Sequence, residues 1–308
     1  MSVDIAASVK ARLLAQSQAR GEEFERILAR FVVERFLFRL GASPARARCL
    51  LKGASLLTLW MPDPYRATRD VDLLASGAVD DEAIKALVAE VCAVDYPEDG
   101  LRFDLSALSI EAIRPEEEYS GQRARFRAFL GSARIALQLD IGVGDAVVPG
   151  PEEVEYPTLL PSLAPPRLRA YPREAVVAEK FEAMVKLDIR NSRMKDFHDL
   201  WALSGAFGFK GSALQSSIAA CFARRRTPWT AELPRVLTPA FYTMPELAGR
   251  WRHYLSSGAV LIPPPERFEE VGERIIAFLA PLREAILGGS VYDRDWIPQG
   301  RWEVEHEG

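Results

Sequence analysis

Residues 51–74 read LKGASLLTLWMPDPYRATRDVDLL, and within them the run Asp70-Val71-Asp72-Leu73-Leu74 decides the fold. Two carboxylates framed by Val71, Leu73 and Leu74 make the pattern of a half-buried strand, in which alternate side chains share a face. Asp70 and Asp72 therefore point the same way, roughly 6–7 Å apart along the chain, close enough to grip the same one or two divalent ions. Upstream, Lys52-Gly53-Ala54-Ser55 supplies a small-residue turn through which backbone N–H groups can approach a phosphate. A phosphate cradle followed by a carboxylate pair for Mg2+ is the order expected of a nucleotidyl-transfer site.

The 308 residues suffice for two domains with a sizeable core. With 48% hydrophobic and 27% charged residues, the composition is that of an ordinary globular protein. The N-terminal region lacks the apolar run of a signal peptide, and no stretch approaches the roughly 18 apolar residues of a membrane span. A cytoplasmic protein without membrane contact is the expectation. Cys49, Cys92 and Cys221 are odd in number and far apart, which argues against a disulfide framework or a CxxC zinc site. Only His198, His253 and His306 offer imidazoles. The net charge of −4 argues against a generally basic nucleic-acid binder but leaves room for local patches. Three basic segments stand out: Arg123, Arg125 and Arg127; Arg224-Arg225-Arg226; and Arg190, Arg193 and Lys195. Each taken alone is more often a solvated face than a binding surface.

Residues 4–39 read as two helices divided at Gly21, and Ser43-Pro44 reads as a further helix start. Pro62 and Pro64 break the apolar text before a strand over 68–74. A helix capped by aspartate is expected from Asp80/Asp81 to Val91. Strands are expected over 101–113 and 123–130, separated by a turn-prone acidic segment, Pro115–Gly121. Ile135–Val143 alternates cleanly, with Leu137, Leu139, Ile141 and Val143 on one face and Gln138, Asp140 and Gly142 on the other. Residues 1–150 are thus read as a first domain, 151–172 as a proline-rich connection, and 173–308 as a helical C-terminal domain. In that last part helices are expected over 174–189, 194–203, 211–225, 245–256 and 267–287, with a loose polar tail after Tyr292. The fold class expected is α+β: a mixed sheet with flanking helices, closed by the helical domain with the active site in the cleft between them.

On the Glu174 helix, Val177, Phe181, Met184 and Leu187 define the apolar face. At 100° per residue Lys180 falls within about 45° of that face's centre, while Glu179, Glu182 and Lys186 fall opposite. A lysine aimed inward either snorkels to solvent or finds a negative partner. Geometry alone favours snorkelling; the functional alternative is a lysine reaching a triphosphate. Asp196 and Asp199, at i and i+3 in KDFHDLW, share a helix face.

Taken together, these residues resemble the AbiEii/AbiGii toxin family, the nucleotidyltransferase-like toxins of abortive-infection and type IV toxin–antitoxin systems. The resemblance rests on Gly53-Ala54-Ser55 leading to Asp70-Val71-Asp72, then on Leu139-Asp140-Ile141-Gly142-Val143-Gly144-Asp145. It rests further on a long block from Tyr171 through Glu179-Lys180 to Asn191-Ser192-Arg193-Met194-Lys195-Asp196-Phe197-His198-Asp199-Leu200-Trp201. The first motif departs from the family's Gly-Ser or Gly-Gly, because Ala54 follows Gly53 and the serine is displaced by one.

The resemblance implies transfer of a nucleotide from an NTP with release of pyrophosphate, in phage defence by abortive infection. Asp70, Asp72 and Asp140 would hold Mg2+, as two ions, with Mn2+ the alternative. Lys180 would neutralise the triphosphate, Asp199 with Asp196 would orient that lysine or the nucleotide, and Lys52, Gly53, Ala54 and Ser55 would line the nucleotide. The implied acceptor is the 3′ end of tRNA, and the implied partner a cognate antitoxin that need not form a stable complex. Two alternatives stand beside it: nucleotidyl transfer to a protein or small molecule, and a non-catalytic NTP-binding regulator. For Asp140 the plain structural alternative is a strand carboxylate paired to an arginine.

Overall fold

The computed structural model describes residues 4–61, 70–113, 121–298 and 300–304. Pro62–Arg69, which include the expected proline break and the first two residues of the expected strand, and most of the expected turn at 115–121 lie outside the described residues. Two compact units emerge. The first runs through Gly144 and takes in Pro151–Tyr171; the second takes in Asp145–Gly150 and Pro172 onward.

The first unit opens with helices α1 (Ile5–Arg20) and α2 (Phe24–Ala42). Asp4 caps α1 by accepting from the Ala7 N–H at 3.0 Å, and Gly21 ends it in the left-handed conformation. A 3-10 turn at Pro44–Arg48 leads into β1 (Cys49–Lys52), followed by the short α3 (Ser55–Trp60) and β2 (Asp70–Ala75). Then come α4 (Asp81–Cys92), capped by Asp80, and three long strands: β3 (Leu101–Ile113), β4 (Gly121–Leu130) and β5 (Ala133–Val143). Strands β6 (Glu152–Glu155) and β7 (Arg167–Ala170) complete it.

All seven form one mixed sheet in the order β3-β4-β5-β2-β1-β7-β6. β2 is central, antiparallel to β1 and parallel to β5. The alternation read in the sequence is largely the burial pattern observed: Val71, Leu73, Leu137, Leu139 and Ile141 are buried beneath the sheet, whereas Val143 is half-buried and β2 ends in two successive buried residues, Leu74 and Ala75. The proline-rich segment 151–172, expected as a connection, instead contributes β6 and β7. Its prolines fall outside the paired residues, while Leu168 and Ala170 bury themselves beside β1. A buried ion pair pins α2, where Arg39 donates to both Asp99 oxygens at 2.6 and 3.2 Å.

The second unit is helical: α5 (Arg173–Leu187), α6 (Met194–Ala206), α7 (Gly211–Arg224), α8 (Pro239–Tyr242), α9 (Pro245–Leu255) and α10 (Phe268–Leu287). Its core is aromatic, with Phe197, Phe241, Tyr242, Trp251 and Phe268 in mutual contact. Within the tail expected to be loose, the described residues include two strands. β9 (Asp295–Ile297) pairs with both β8 (Phe209–Lys210) and β10 (Arg301–Glu303). Trp296 is buried against Phe278 and donates its indole N–H to the Ser204 carbonyl at 2.7 Å. One large aromatic side chain outweighs the polarity around it. None of the described helices is long and apolar enough to cross a membrane. The fold class is α+β.

Candidate active site

Strand register sets the candidate site in the first unit. Lys52 on β1 stands opposite Asp72 on β2; Asp72 stands opposite Asp140 on β5; Asp140 stands opposite Arg123 on β4; Arg123 stands opposite Glu111 on β3. Because directly opposed residues project from one face, the sheet carries a row of charge, plus-minus-minus-plus-minus, across five strands. Asp70 lies two residues before Asp72 and so joins the same face, opposite Gln138. Like charges directly opposed destabilise a sheet, so the Asp72–Asp140 pair calls for cations.

Arg123 meets part of that demand. Its Nε donates to Asp140 Oδ1 at 2.7 Å and its Nη2 to Oδ2 at 2.6 Å, a bidentate pair. The hydrogen bonds to Asp140 hold the guanidinium above its usual basicity, against a smaller opposing effect of burial. Gln138 adds a bond to Oδ1 at 3.3 Å. The pairing of Asp140 with an arginine, the plain alternative, is therefore present. Among the described residues no three carboxylate, imidazole or thiol groups form a ready-made metal site; both Asp140 oxygens are engaged by Arg123. The donor set is nevertheless all carboxylate oxygen, which suits a hard divalent ion such as Mg2+. The donor chemistry fits such an ion, while in this structure Asp140 is held by Arg123.

The Gly53 turn is built around Asp72. Gly53 has φ +67°, and a Cβ there would overlap the Asp72 carboxylate and lie 2.7 Å from its Cβ. The turn backbone thus lies against the candidate ligand. Lys52 sits with its ammonium 5.1 Å from the Tyr171 ring centroid. Ser55 differs from expectation: it is fully buried at the start of α3, and its hydroxyl donates to the Asp70 carbonyl at 3.4 Å. Its hydroxyl serves the junction of α3 with β2, because the first turn of the helix points it inward.

The second unit holds the other sequence-predicted group. The Lys180 side chain does not snorkel. It is buried, and Nζ donates to Asp196 Oδ1 at 2.9 Å and to Asp199 Oδ2 at 2.6 Å. Both carboxylates are fully buried, and Asp196 also pairs with Arg193 Nε at 2.7 Å. Placing Asp196 and Asp199 one helical turn apart on α6 lets one ammonium bridge them. Glu182, expected on the solvent side of α5, is buried and accepts from Arg225 at 3.0 Å; Arg225 also pairs with Asp145 and Glu179. The residues that sequence reasoning did not assign to a site are therefore Arg123 and Arg225. Each appeared only as part of a basic segment, and each is held by carboxylates from elsewhere in the chain.

Two crystal structures are similar to this chain. JHP933 from Helicobacter pylori shares 14% identity, with 83% of this chain and 90% of that one covered and a TM-score of 0.48. A second H. pylori structure shares 15%, with 84% and 94% covered and a TM-score of 0.48. No curated protein matches. The sequence model of a family described as nucleotidyl transferase AbiEii toxin, type IV TA system, matches residues 35–274, which include every candidate residue above. The chain belongs to the AbiEii nucleotidyltransferase toxin family of type IV toxin–antitoxin systems.

Proposed function

We propose that this toxin-family member transfers a nucleoside monophosphate from an NTP to the 3′ end of an RNA, with tRNA as acceptor, within an antiviral abortive-infection system. The observation that carries the reading is the opposed Asp72 and Asp140 with Asp70 on the same face, backed by the Gly53 turn. In the reaction the acceptor's 3′ hydroxyl oxygen bonds to the α-phosphorus, the bond from that phosphorus to the bridging oxygen breaks, and pyrophosphate leaves. Asp70, Asp72 and Asp140 would hold Mg2+, or Mn2+, which when bound supplies charge neutralisation at the phosphates and lowers the hydroxyl's pKa. Asp140, released from Arg123, accepts the hydroxyl proton. The Gly53-Ala54 backbone approaches the phosphates, with Lys52 beside it. Lys180 contributes positive charge toward the triphosphate, and Asp196 and Asp199 fix its ammonium in one position. Family membership brings with it a cognate antitoxin as functional partner.

Incubation with Mg2+, total tRNA and each α-labelled NTP in turn tests this reading. Label on tRNA, from one preferred NTP, supports it. Label on the protein itself, or NTP binding with no transfer, would replace it by protein modification or a binding-only role.

A further inference from the structure

A cavity of about 600 Å3 opens in the second unit between the start of α6 and the end of α9. Arg193, Lys195, Arg250 and His253 line it, together with Tyr254 and Ser257, and none of its lining residues is acidic. In a chain of net charge −4, a pocket walled by three permanent cations and an imidazole is a local reversal of sign. Its volume falls in the usual range for small-ligand sites.

The cations are held in different ways. Arg250 is anchored through Nη1, which donates to the carbonyls of Ile189 at 2.9 Å and Asn191 at 3.0 Å, so its guanidinium is set before any ligand arrives. Arg193 is tied to Asp196. Lys195 is exposed and makes no ion pair among the described residues. Tyr254 is fixed through its hydroxyl, 2.9 Å from His198 Nδ1, and supplies a rigid aromatic wall beside these charges. The first turn of α6 adds the positive end of a thirteen-residue helix. Of the three basic segments in the sequence, Arg123 and Arg125 are spent on Asp140 and Glu111, and Arg225 on Asp145, Glu179 and Glu182. The segment around Lys195, by contrast, lines this cavity.

We infer that this pocket is a nucleotide-phosphate site, in which Arg250 and Lys195 take the phosphate and Tyr254 packs against the attached base or sugar. Its open rim of Lys195, His253 and Ser257 favours a phosphate within an RNA chain, and a free nucleotide is the other source of the same chemistry. The RNA source rests on the acceptor proposed above; the phosphate site itself does not.

The test measures binding without chemistry, using the full chain in EDTA with no NTP present. Fluorescence anisotropy with a labelled single-stranded RNA is compared for wild type, Lys195→Gln and the charge reversal Lys195→Glu/His253→Glu. A parallel arm measures AMP and inorganic phosphate by calorimetry. Both altered positions are on the surface, so thermal melts should match wild type. For RNA, Lys195→Gln should lower the salt slope of log K by about one. The double reversal should weaken binding at least tenfold. Loss confined to AMP and phosphate assigns the site to free nucleotides. Wild-type affinity and salt slope for every ligand in the folded variants would overturn the inference, as would a wild-type protein that binds none of them. Because no transfer is measured, an absence of nucleotidyl transfer would leave this result standing.

Discussion

Replacing Lys180 with methionine keeps the length of the side chain and removes its charge. The ammonium bridges Asp196 and Asp199 at 2.9 and 2.6 Å, and neither carboxylate has exposed surface. Removing one partner of a buried ion pair costs about 3–5 kcal/mol, because the remaining charge stays desolvated. Asp196 retains Arg193 at 2.7 Å. Part of the buried charge thus stays balanced, and the lower end, about 3 kcal/mol, applies. For a chain of 308 residues that lowers Tm by roughly 4–6 °C. Thermal unfolding followed by circular dichroism at neutral pH measures it. Adding Asp199→Asn removes one of the two buried carboxylates that faced the ammonium, so the double variant should melt above Lys180→Met. A Lys180→Met protein melting within about 2 °C of wild type, or a double variant melting no higher than the single, would show that the buried ion pair does not carry this stability.

Arg123→Gln should release Asp140 from its bidentate partner and tighten divalent-ion binding. The pair is partly exposed, so its competition is worth about 1 kcal/mol, or roughly fivefold in Kd for Mn2+ measured by electron paramagnetic resonance. An unchanged Kd would mean that Arg123 does not compete with the ion. Gly53→Ala should cost about 1–3 kcal/mol by denaturant unfolding, from a left-handed φ and the overlap with Asp72, and should weaken Mn2+ binding as well. Burial pushes the Glu34 carboxyl up to about 7 despite Arg35 at 2.7 Å. Between the ordinary glutamate value and 7 the folded state keeps a proton that the unfolded chain releases, so this group favours folding as pH falls through that window. The contribution is on the order of 3 kcal/mol. Melts of wild type and Glu34→Gln from pH 5 to 8 should show wild type losing ground as pH rises; parallel curves would contradict it.

How much of this was legible in the sequence follows the range of the interactions. The strand at Asp70–Ala75 and the alternation of Ala133–Val143 were readable because a period of two is local, and the cap at Asp80 was readable for the same reason. Lys180 could be placed on the inner face of its helix, and Asp196 and Asp199 on one face of theirs. That the two faces meet required the packing of α5 on α6. The row Lys52–Asp72–Asp140–Arg123 was not readable, since it depends on the order β4-β5-β2-β1, set by pairings far apart in the chain. Periodicity put Glu182 in solvent because it sees only its own helix, and not Arg225, which follows α7. β6 and β7 were obscured by prolines that lie between the strands, and β9 by the polar residues around Trp296.

On the function proposed above, the carboxylate row supports nucleotidyl transfer to RNA. Pyrophosphate release in the presence of Mg2+, the preferred NTP and total tRNA, measured for wild type and for folded Asp72→Asn, tests it most directly. Release should be matched mole for mole by nucleotide gained on RNA, and should fall by at least about 100-fold in the variant. Wild-type release by Asp72→Asn, or release with no nucleotide gained on RNA, would contradict it.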